Sequence, residues 1–501
     1  MTSFLRRPSD PPQGEPPRGL TLVEMLVAMT LTLILMGAVT QIFGMLGQGI
    51  NGSRTVAELN DRMRATAYRL RQDLAGITVD ASVAPPTRAA LNTGYLEVIE
   101  GPESDIVAYF GSPATAFDKS AGVYDAATNR WNGTADPYLS ATGSDDRLVG
   151  DIDDVLLFTT RSTGEPFAGR VDTRNTNLEG GSVRSPFAEV AWFCRPSPNT
   201  SSPRTFTLYR RQRLIMAHPG AEPFVNTTAA GPSRNSFGGP PNTLPFTDWA
   251  GIYQLTDVSC RLQAGLAIPN TLGDLTRREN RFMHATGFPH AFPIPMYAAP
   301  ADLANLTFDS VPNRMGEDVI LTNVLAFDVR VFDPGAIVQA QLGLLATGNV
   351  QNPTRIAVAP GDPGYVVGGS DSNNAVGAFV DLNWTGAGPL GFTAALGPQP
   401  FAHAGRRVRN SAAGNTLPYP TYDTWTDYYE VNGLDDNGDG SIDEGSNGVD
   451  DNGINGIDEA GEQETQPPYP VLLSAIQIRL RCYEPSSKQV RQMTISQELA
   501  R

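Results

Sequence analysis

The chain has 501 residues, enough to bury a core in one large domain or in roughly two to three ordinary ones. It has 50 Gly, 40 Pro and only 18% charged residues, which predicts a β-rich body with many loops and argues against a helical bundle. Its formal charge of -16 repels phosphate backbones, so we expect no nucleic acid as a partner.

The first predicted element is an apolar helix near the N terminus. No charged side chain occurs from Met25 to Phe43. At about 1.5 Å per residue this stretch reaches about 30 Å, the thickness of the hydrocarbon core of a bilayer. Arginine is in excess before it (Arg6, Arg7 and Arg18), so we expect the N terminus in the cytoplasm and the body outside.

Two ordinary interpretations of this helix fit less well. A cleaved secretory signal would need a small-x-small site after the apolar run, and residues 44–49 match that pattern poorly. A plain signal anchor leaves Glu24 unexplained, because a carboxylate at the edge of a membrane span is costly without a partner.

The segment Gly19-Leu20-Thr21-Leu22-Val23-Glu24 resembles the cleavage and methylation motif of type IV prepilins and type II secretion pseudopilins. The resemblance implies that a prepilin peptidase cuts between Gly19 and Leu20, removes a leader (1–19) and methylates the amino group of Leu20. It also implies that Glu24 mediates assembly with other subunits. Leu20 is a mild departure, since Phe or Met is commoner at this position in the family.

The chemistry of this arrangement is consistent. Cleavage creates an α-amine that is cationic near neutral pH, and N-methylation leaves it basic. If staggered helices bring that amine to Glu24 of a neighbouring subunit, each neutralises a charge held in lipid. We therefore expect assembly to need both Glu24 and prior removal of the leader.

The N-terminal helix is predicted to cover 20–78, with a span at about 20–46 and an amphipathic part at about 54–77. Apolar residues recur there at spacings of three and four, as Val56, Leu59, Met63, Ala67, Leu70, Leu74 and Ile77. Four glycines, at 44, 47, 49 and 52, favour a kink or a local loss of helix between the two parts. A hinge and a loose exit from the membrane both remain open.

Residues 79–334 are predicted to form a β-rich head. Strands are expected at 154–160, 189–195 and 205–211, and the last two resemble paired strands of the J-type minor pseudopilin. The basic run Tyr209 to Arg213 is interpreted as a solvated strand edge. The overall class is therefore α+β: a long transmembrane and amphipathic helix, then a large antiparallel β-rich globular head with long loops.

Two later segments repeat one pattern. Residues 321–334 align without gaps on 472–485, each with one apolar face and each ending in an acid-proline pair that predicts a turn. Gln489 to Ser496 can return as the second arm of a hairpin within 465–501. Between the copies, 335–430 is rich in Gly, Ala, Pro and Asn and is interpreted as an insertion with long loops.

An acidic loop is predicted at 431–464, where a unit beginning at Asn432 repeats at Asn447. Asp435, Asn437, Asp439 and Asp443 have the spacing of a calcium-binding loop, although Ser446 stands where its final glutamate would be. Calcium is a possible cofactor here, and a solvated acidic loop is the alternative. No His or Cys is present in the loop for zinc.

The remaining motifs point away from catalysis. The chain has no HExxH, no Gly-Lys for a Walker A loop and no GxSxG in a suitable context, so we expect no enzyme. Its three cysteines allow at most one disulfide, and Cys482 is interpreted as a small buried hydrophobe.

The function expected from the resemblance is that of a pseudopilin, minor and initiating or tip-proximal. The partners it implies are a prepilin peptidase, other pilins or pseudopilins, a platform protein, an assembly ATPase and the cytoplasmic membrane. The head would then be periplasmic or extracellular. A surface adhesin or calcium-dependent binding protein anchored by a pilin leader is the alternative, and a membrane-anchored periplasmic enzyme is a third possibility.

Overall fold

The protein consists of one long helix followed by a large antiparallel β-rich head, as predicted. The computed structural model describes residues 21–79, 93–100, 123–125, 130–132, 150–170, 182–197, 205–216, 256–263, 266–276, 280–282, 316–342, 355–360, 375–382, 384, 401, 408–410, 415–417, 421–424, 441–443, 446–451, 453, 456–458 and 473–499. Helix α1 is Leu22–Ala75 and is 54 residues long.

The strands in chain order are β1 (Leu96–Ile99), β2 (Val123–Asp125), β3 (Arg130–Asn132), β4 (Val155–Arg161), β5 (Phe167–Arg170), β6 (Ser182–Ser185), β7 (Phe187–Pro196), β8 (Phe206–Ile215), β9 (Cys260–Gln263), β10 (Leu266–Pro269), β11 (Val319–Leu342), β12 (Arg355–Val358), β13 (Ala375–Val380), β14 (Val408–Asn410), β15 (Asn415–Leu417), β16 (Thr421–Asp423), β17 (Ala475–Glu484) and β18 (Gln489–Glu498). A short 3-10 helix lies at Asp274–Thr276.

The main sheet has ten strands, eight of them in the order β16-β1-β4-β7-β8-β11-β17-β18, and β12 and β13 also pair with β11. Its pairs are antiparallel. The described residues also form four two-stranded ribbons: β2-β3, β5-β6, β9-β10 and β14-β15. The strands predicted at 154–160, 189–195 and 205–211 correspond to β4, β7 and β8.

The predicted stripe on the helix is confirmed from Leu59 onward, while Val56 is only half-buried. Leu59, Met63, Ala67, Leu70 and Leu74 are each at most 2% exposed. Ile77 lies just beyond the helix, where it forms a β-bridge with Thr160 of β4. Gly76 permits this approach, because a Cβ at that position would collide with the Arg161 carbonyl and the Thr160 hydroxyl.

The helix is continuous through the four glycines at 44, 47, 49 and 52. The local loss of helix favoured by the sequence at this point therefore does not occur. The helix-forming residues between the glycines outweigh a penalty of about 1 kcal/mol per glycine.

The two repeated segments are neighbours in the sheet. β11 and β17 pair with Phe327 opposite Leu480, Val329 opposite Ile478 and Val331 opposite Ile476. The predicted apolar face is buried in both strands. Its side chains, each at most 1% exposed, are Leu325, Phe327, Val329 and Val331 in β11 and Ile476, Ile478, Leu480 and Cys482 in β17. β17 continues into β18 by the predicted hairpin, with Glu484 opposite Gln489.

The predicted turn at Asp333-Pro334 is wrong, although the one at Glu484-Pro485 is confirmed. β11 continues past Asp333 as far as Leu342, with a shift of register between Asp333 and Ile337. The Asp333 carboxylate holds this irregular stretch by accepting hydrogen bonds from the Gly335 amide, the Trp384 indole and the Phe401 amide. A bulge of this kind accommodates a proline without ending the strand.

The segment 335–430 is more than an insertion of loops. It supplies β12 and β13, which pair with β11, and β16, which pairs with β1. The described parts of this segment therefore complete the main sheet.

The basic run on β8 is not a solvated edge, and this prediction is corrected. β8 lies inside the sheet between β7 and β11, and Arg210, Arg211 and Arg213 are at most 7% exposed. Arg211 pairs with Asp318 at 2.9 Å, while Arg213 donates to the carbonyls of Thr256 and Val258. Buried arginines of this kind are retained because each has acceptors.

Arg210 joins the sheet to the end of the helix. Its Nε lies 2.6 Å from Oδ2 of Asp73 and its Nη2 lies 2.9 Å from Oδ1, which makes the pair bidentate. The Trp192 indole of β7 donates to the same carboxylate at 3.1 Å, and the Thr160 hydroxyl of β4 donates to the Asp73 carbonyl. Hydrogen bonds thus connect the last turn of α1 to β8, β7 and β4.

Candidate functional site

Helix α1 begins with a reciprocal cap. The Thr21 amide and hydroxyl both donate to Oε2 of Glu24, at 2.9 and 3.0 Å, and the Glu24 amide donates to the Thr21 hydroxyl at 3.3 Å. This is the capping box expected of a Thr-x-x-Glu sequence, which satisfies amides that have no partner within the helix. Glu24 therefore has a partner within its own helix, and the Thr-x-x-Glu pattern was the sequence signal for it.

Beyond the cap, residues Leu22–Met45 form a helix long and apolar enough to cross a membrane. Its 24 residues would extend about 36 Å at 1.5 Å each. Its side chains are exposed, including Leu22, Met29 and Phe43 at 81%, 69% and 69%. An apolar surface of this extent requires a lipid or protein environment.

The hydroxyls within this stretch are satisfied internally. Thr30, Thr32 and Thr40 donate to the carbonyls of Leu26, Ala28 and Met36, at 2.8, 2.7 and 2.8 Å. Such bonding to the residue four positions earlier removes the need for water at these positions. Glu24 is the charged residue of the stretch.

The chain divides into two compact units between Leu59 and Asn60. The candidate span belongs to the first unit, while the second unit begins with the last four turns of α1 and contains the sheet. The ion pair between Asp73 and Arg210 lies within the second unit.

The predicted cleavage and methylation residues, Gly19 and Leu20, lie outside the described residues. Thr21 is therefore the first residue of the motif that the structure describes. Of the predicted residues Gly19, Leu20 and Glu24, Glu24 is the one whose contacts are described.

Three of the four predicted calcium ligands, Asp435, Asn437 and Asp439, also lie outside the described residues. Asp443 is described, with φ at +53°, and its carbonyl accepts a hydrogen bond from the Ser446 amide. Asp458, the equivalent residue of the second copy, has φ at +55°. The repeat seen in the sequence is therefore also a repeat of backbone conformation at this position.

The second copy of the acidic repeat uses its acids for local structure. Asp451 accepts from the Asn447 side chain at 2.7 Å, and Asp458 accepts from the Gly448 amide at 2.8 Å. Both contacts are exposed, and Asn447 also makes an Asx turn, in which its side-chain oxygen accepts from the Val449 amide at 2.8 Å.

The cysteines have no reactive environment. Cys194, Cys260 and Cys482 are free and buried. Burial raises the pKa of Cys260 and of Cys482 to about 12, and it raises the pKa of Cys194 well above its ordinary value. All three are thiols at neutral pH, and a thiol is a poor nucleophile.

One family matches the chain, over residues 17–40: the Prokaryotic N-terminal methylation motif. The match includes Gly19, Leu20 and Glu24 and supports a prepilin-type N terminus. No curated protein and no solved structure matches the chain.

Proposed function

We propose that the chain is a minor pseudopilin, assembled into a type II secretion or type IV pilus-like filament after cleavage between Gly19 and Leu20 and methylation of Leu20. The observation that carries this proposal is the methylation motif at 17–40, placed at the start of an exposed apolar helix whose acid is Glu24. Filament subunits with this motif are structural proteins, which agrees with the inert cysteines.

In this proposal Glu24 changes partner. In the precursor its carboxylate caps its own helix through Thr21. After cleavage the amine of Leu20 of a neighbouring subunit offers a full positive charge, and a pair of opposite charges in lipid is far stronger than a hydrogen bond to a neutral amide. The exchange favours the filament over the isolated subunit.

The size of the head supports a minor, initiating or tip-proximal place. The second unit extends from Asn60 to Arg501, and a head of that bulk is difficult to repeat at every step of a filament. Glu24 argues against the K-type tip subunit, which lacks that glutamate. The proposed partners remain a prepilin peptidase, sister pilins, a platform protein and an assembly ATPase, with the head outside the cytoplasmic membrane.

Substitution of Glu24 tests the proposal. We expect Glu24→Gln protein to be cleaved normally and to enter filaments at least about tenfold less, because the amide keeps the size of the side chain but loses the charge. The measurement is crosslinking of subunits in membranes, with N-terminal mass spectrometry to establish cleavage and methylation of Leu20.

Two variants serve as controls for this experiment. Glu58→Gln alters an exposed acid of the same helix that pairs with Arg54, and it should assemble normally. Thr21→Ala removes the capping hydroxyl but keeps the carboxylate, and it should also assemble. Normal assembly of the Glu24→Gln chain, or an uncleaved Met1 in membranes, would contradict the proposal.

A second candidate is a displayed adhesin or calcium-dependent binding protein, which the repeated acidic loop favours. Replacing Asp435, Asp439 and Asp443 by Asn separates the candidates. A pseudopilin should still support secretion or piliation, whereas a calcium-dependent binding protein should lose its surface binding.

A further inference from the structure

A second group of acids lies inside the head, far from the acidic loop in sequence. The carboxylate cluster, as we name it, combines one residue after β1, three residues before β4 and one residue after β13: Glu100, Asp151, Asp153, Asp154 and Asp381. All five are at most 9% exposed, and four of them at most 2%. Acids are rarely buried to this degree unless they are paired or coordinate a metal.

The backbone explains why these segments meet. β1 and β4 are antiparallel neighbours with Ile99 opposite Val155, so Glu100 emerges beside Asp154. The segment before β4 is bonded to β11: Gly150 donates to the Leu325 carbonyl, and Phe327 donates to the Asp151 carbonyl. β13 pairs with β11 at Val331, which places Asp381 next to the same stretch.

The oxygens of the cluster have the separation of metal ligands. Glu100, Asp151 and Asp381 form one triad, and Asp151, Asp153 and Asp154 form another, with one oxygen of each residue within 4.8 Å of the others. Two oxygens bound to one calcium ion at about 2.4 Å each cannot be more than about 4.8 Å apart. Both triads therefore satisfy this limit, and they share Asp151.

The hydrogen bonding of Asp151 is an observation independent of the distances between the oxygens. It is 2% exposed, and among the described residues neither of its carboxylate oxygens has a hydrogen-bond partner. Oε1 of Glu100 likewise has no hydrogen-bond partner among the described residues, although its Oε2 accepts from the Leu382 amide. A buried carboxylate that accepts nothing costs about 1–3 kcal/mol or more, so a bound cation would stabilise these oxygens.

The neighbouring charges do not supply that cation. Arg330 lies 3.1 Å from Asp381 and 2.9 Å from Asp328, and Arg479 lies 3.9 Å from Asp328. Burial, then the charges of Asp154 and Glu100, raise the pKa of Asp151.

We propose that the carboxylate cluster is a calcium site of the head, with Asp151 as its central ligand. The donors are all oxygens, which hard cations prefer and which excludes a zinc site of the usual His and Cys type. Calcium accepts about six to eight oxygen ligands in flexible geometry, whereas magnesium usually keeps several waters. A buried site with this many protein carboxylates therefore fits calcium.

The ion would join distant parts of the head. It would link the ends of β1 and β13 to the segment before β4, and through that segment to β11. Calcium would then stabilise the folded head, because a ligand that binds only the folded state shifts unfolding by mass action.

The test must separate this site from the acidic loop. We would use the full chain in detergent with Asp435, Asp439 and Asp443 replaced by Asn, which removes three of the four predicted calcium ligands of the loop. Melting is followed in calcium chloride and in EDTA, and bound calcium is counted after dialysis. We expect calcium to raise the melting temperature by about 3 °C or more, and calcium to remain bound.

In the same background, Asp151→Asn should abolish the calcium-dependent shift and lower bound calcium at least tenfold. Asp61→Asn, at an exposed position on α1, should change neither. The proposal is overturned if the chain with the three loop substitutions melts at the same temperature in calcium and in EDTA. It is also overturned if Asp151→Asn retains the calcium-dependent shift in melting temperature. Should Asp151→Asn fail to fold, Glu100→Gln in the same background provides the same readout. The result is independent of whether the protein assembles.

Discussion

At the scale of single residues, Asp73 joins the end of the helix to the sheet. It accepts two hydrogen bonds from Arg210 and one from Trp192, at an exposure of 2%. The three residues come from α1, β8 and β7, and 137 positions separate Asp73 from Arg210. A local pattern of hydrophobicity contains no information about such a pair.

We expect Asp73→Ala to lower the free energy of unfolding by about 3–5 kcal/mol, because it leaves the Arg210 guanidinium buried without its counter-ion. Urea denaturation of the full chain in detergent, followed by tryptophan fluorescence, measures the change. The matched control is Asp61→Ala, since Asp61 is exposed and lies 4.0 Å from Arg64. Equal effects of the two substitutions would show that the buried pair is unimportant.

The thiols give a second prediction at this scale. Because all three are buried and have raised pKa values, we expect none to react with a thiol reagent such as DTNB in the native protein. In denaturant without reductant we expect all three to react. Fewer than three reactive thiols after unfolding would reveal a disulfide that the structure does not contain.

At the scale of elements, the second half of α1 is stabilised by its apolar stripe. Leu70 is 1% exposed, so Leu70→Ala should cost about 2–5 kcal/mol through lost burial and a cavity. Tyr68, on the opposite side and 65% exposed, is the control, and Tyr68→Ala should cost little. Chemical denaturation of both variants measures the difference, and a similar loss in both would contradict the assigned face.

The elements with regular periodicity could be predicted from the sequence. The helical stripe, the strands β4, β7 and β8, and the hairpin of β17 and β18 were all found, since one buried face leaves a period of two or of three to four. β11 was found, but its C-terminal half was missed at Asp333-Pro334. There the carboxylate bonds to residues as distant as Trp384 and Phe401, and these contacts outweigh the local turn signal.

The functional residues divide in the same way. Glu24 could be predicted because its motif is contiguous, and its cap with Thr21 is contiguous too. The carboxylate cluster could not, because its members come from three separated segments whose meeting depends on the sheet. The basic run of β8 was misinterpreted for the same reason: Asp73 and Asp318, which neutralise it, are distant in sequence.

At the scale of the whole molecule, the head includes the end of the helix. We expect a truncated chain of residues 54–501 to melt cooperatively, since it keeps the stripe and Asp73. A chain of residues 79–501 should lack a cooperative transition, because it loses the buried side chains from Met63 to Leu74 and the partner of Arg210. Circular dichroism with heating distinguishes them, and identical transitions would contradict this view.

The sheet also limits how the molecule can be dissected. Removing 335–421 deletes β12 and β13 and cuts into β16, all of which pair within the main sheet. Loss of activity after such a deletion would report an unfolded head. Substitutions such as Asp435→Asn or Asp151→Asn are therefore better probes of function.

The pairing of β1 with β16 has a consequence for biosynthesis. Leu96 and Thr424 are joined by a hydrogen bond although 328 positions separate them. At roughly 5–20 residues per second, a ribosome needs about 16 to 65 s to deliver the partner of β1. During that interval the nascent strand has an open edge and apolar side chains without cover, the features that chaperones recognise. Newly made chains should therefore depend on a holding factor until about the last sixth of translation.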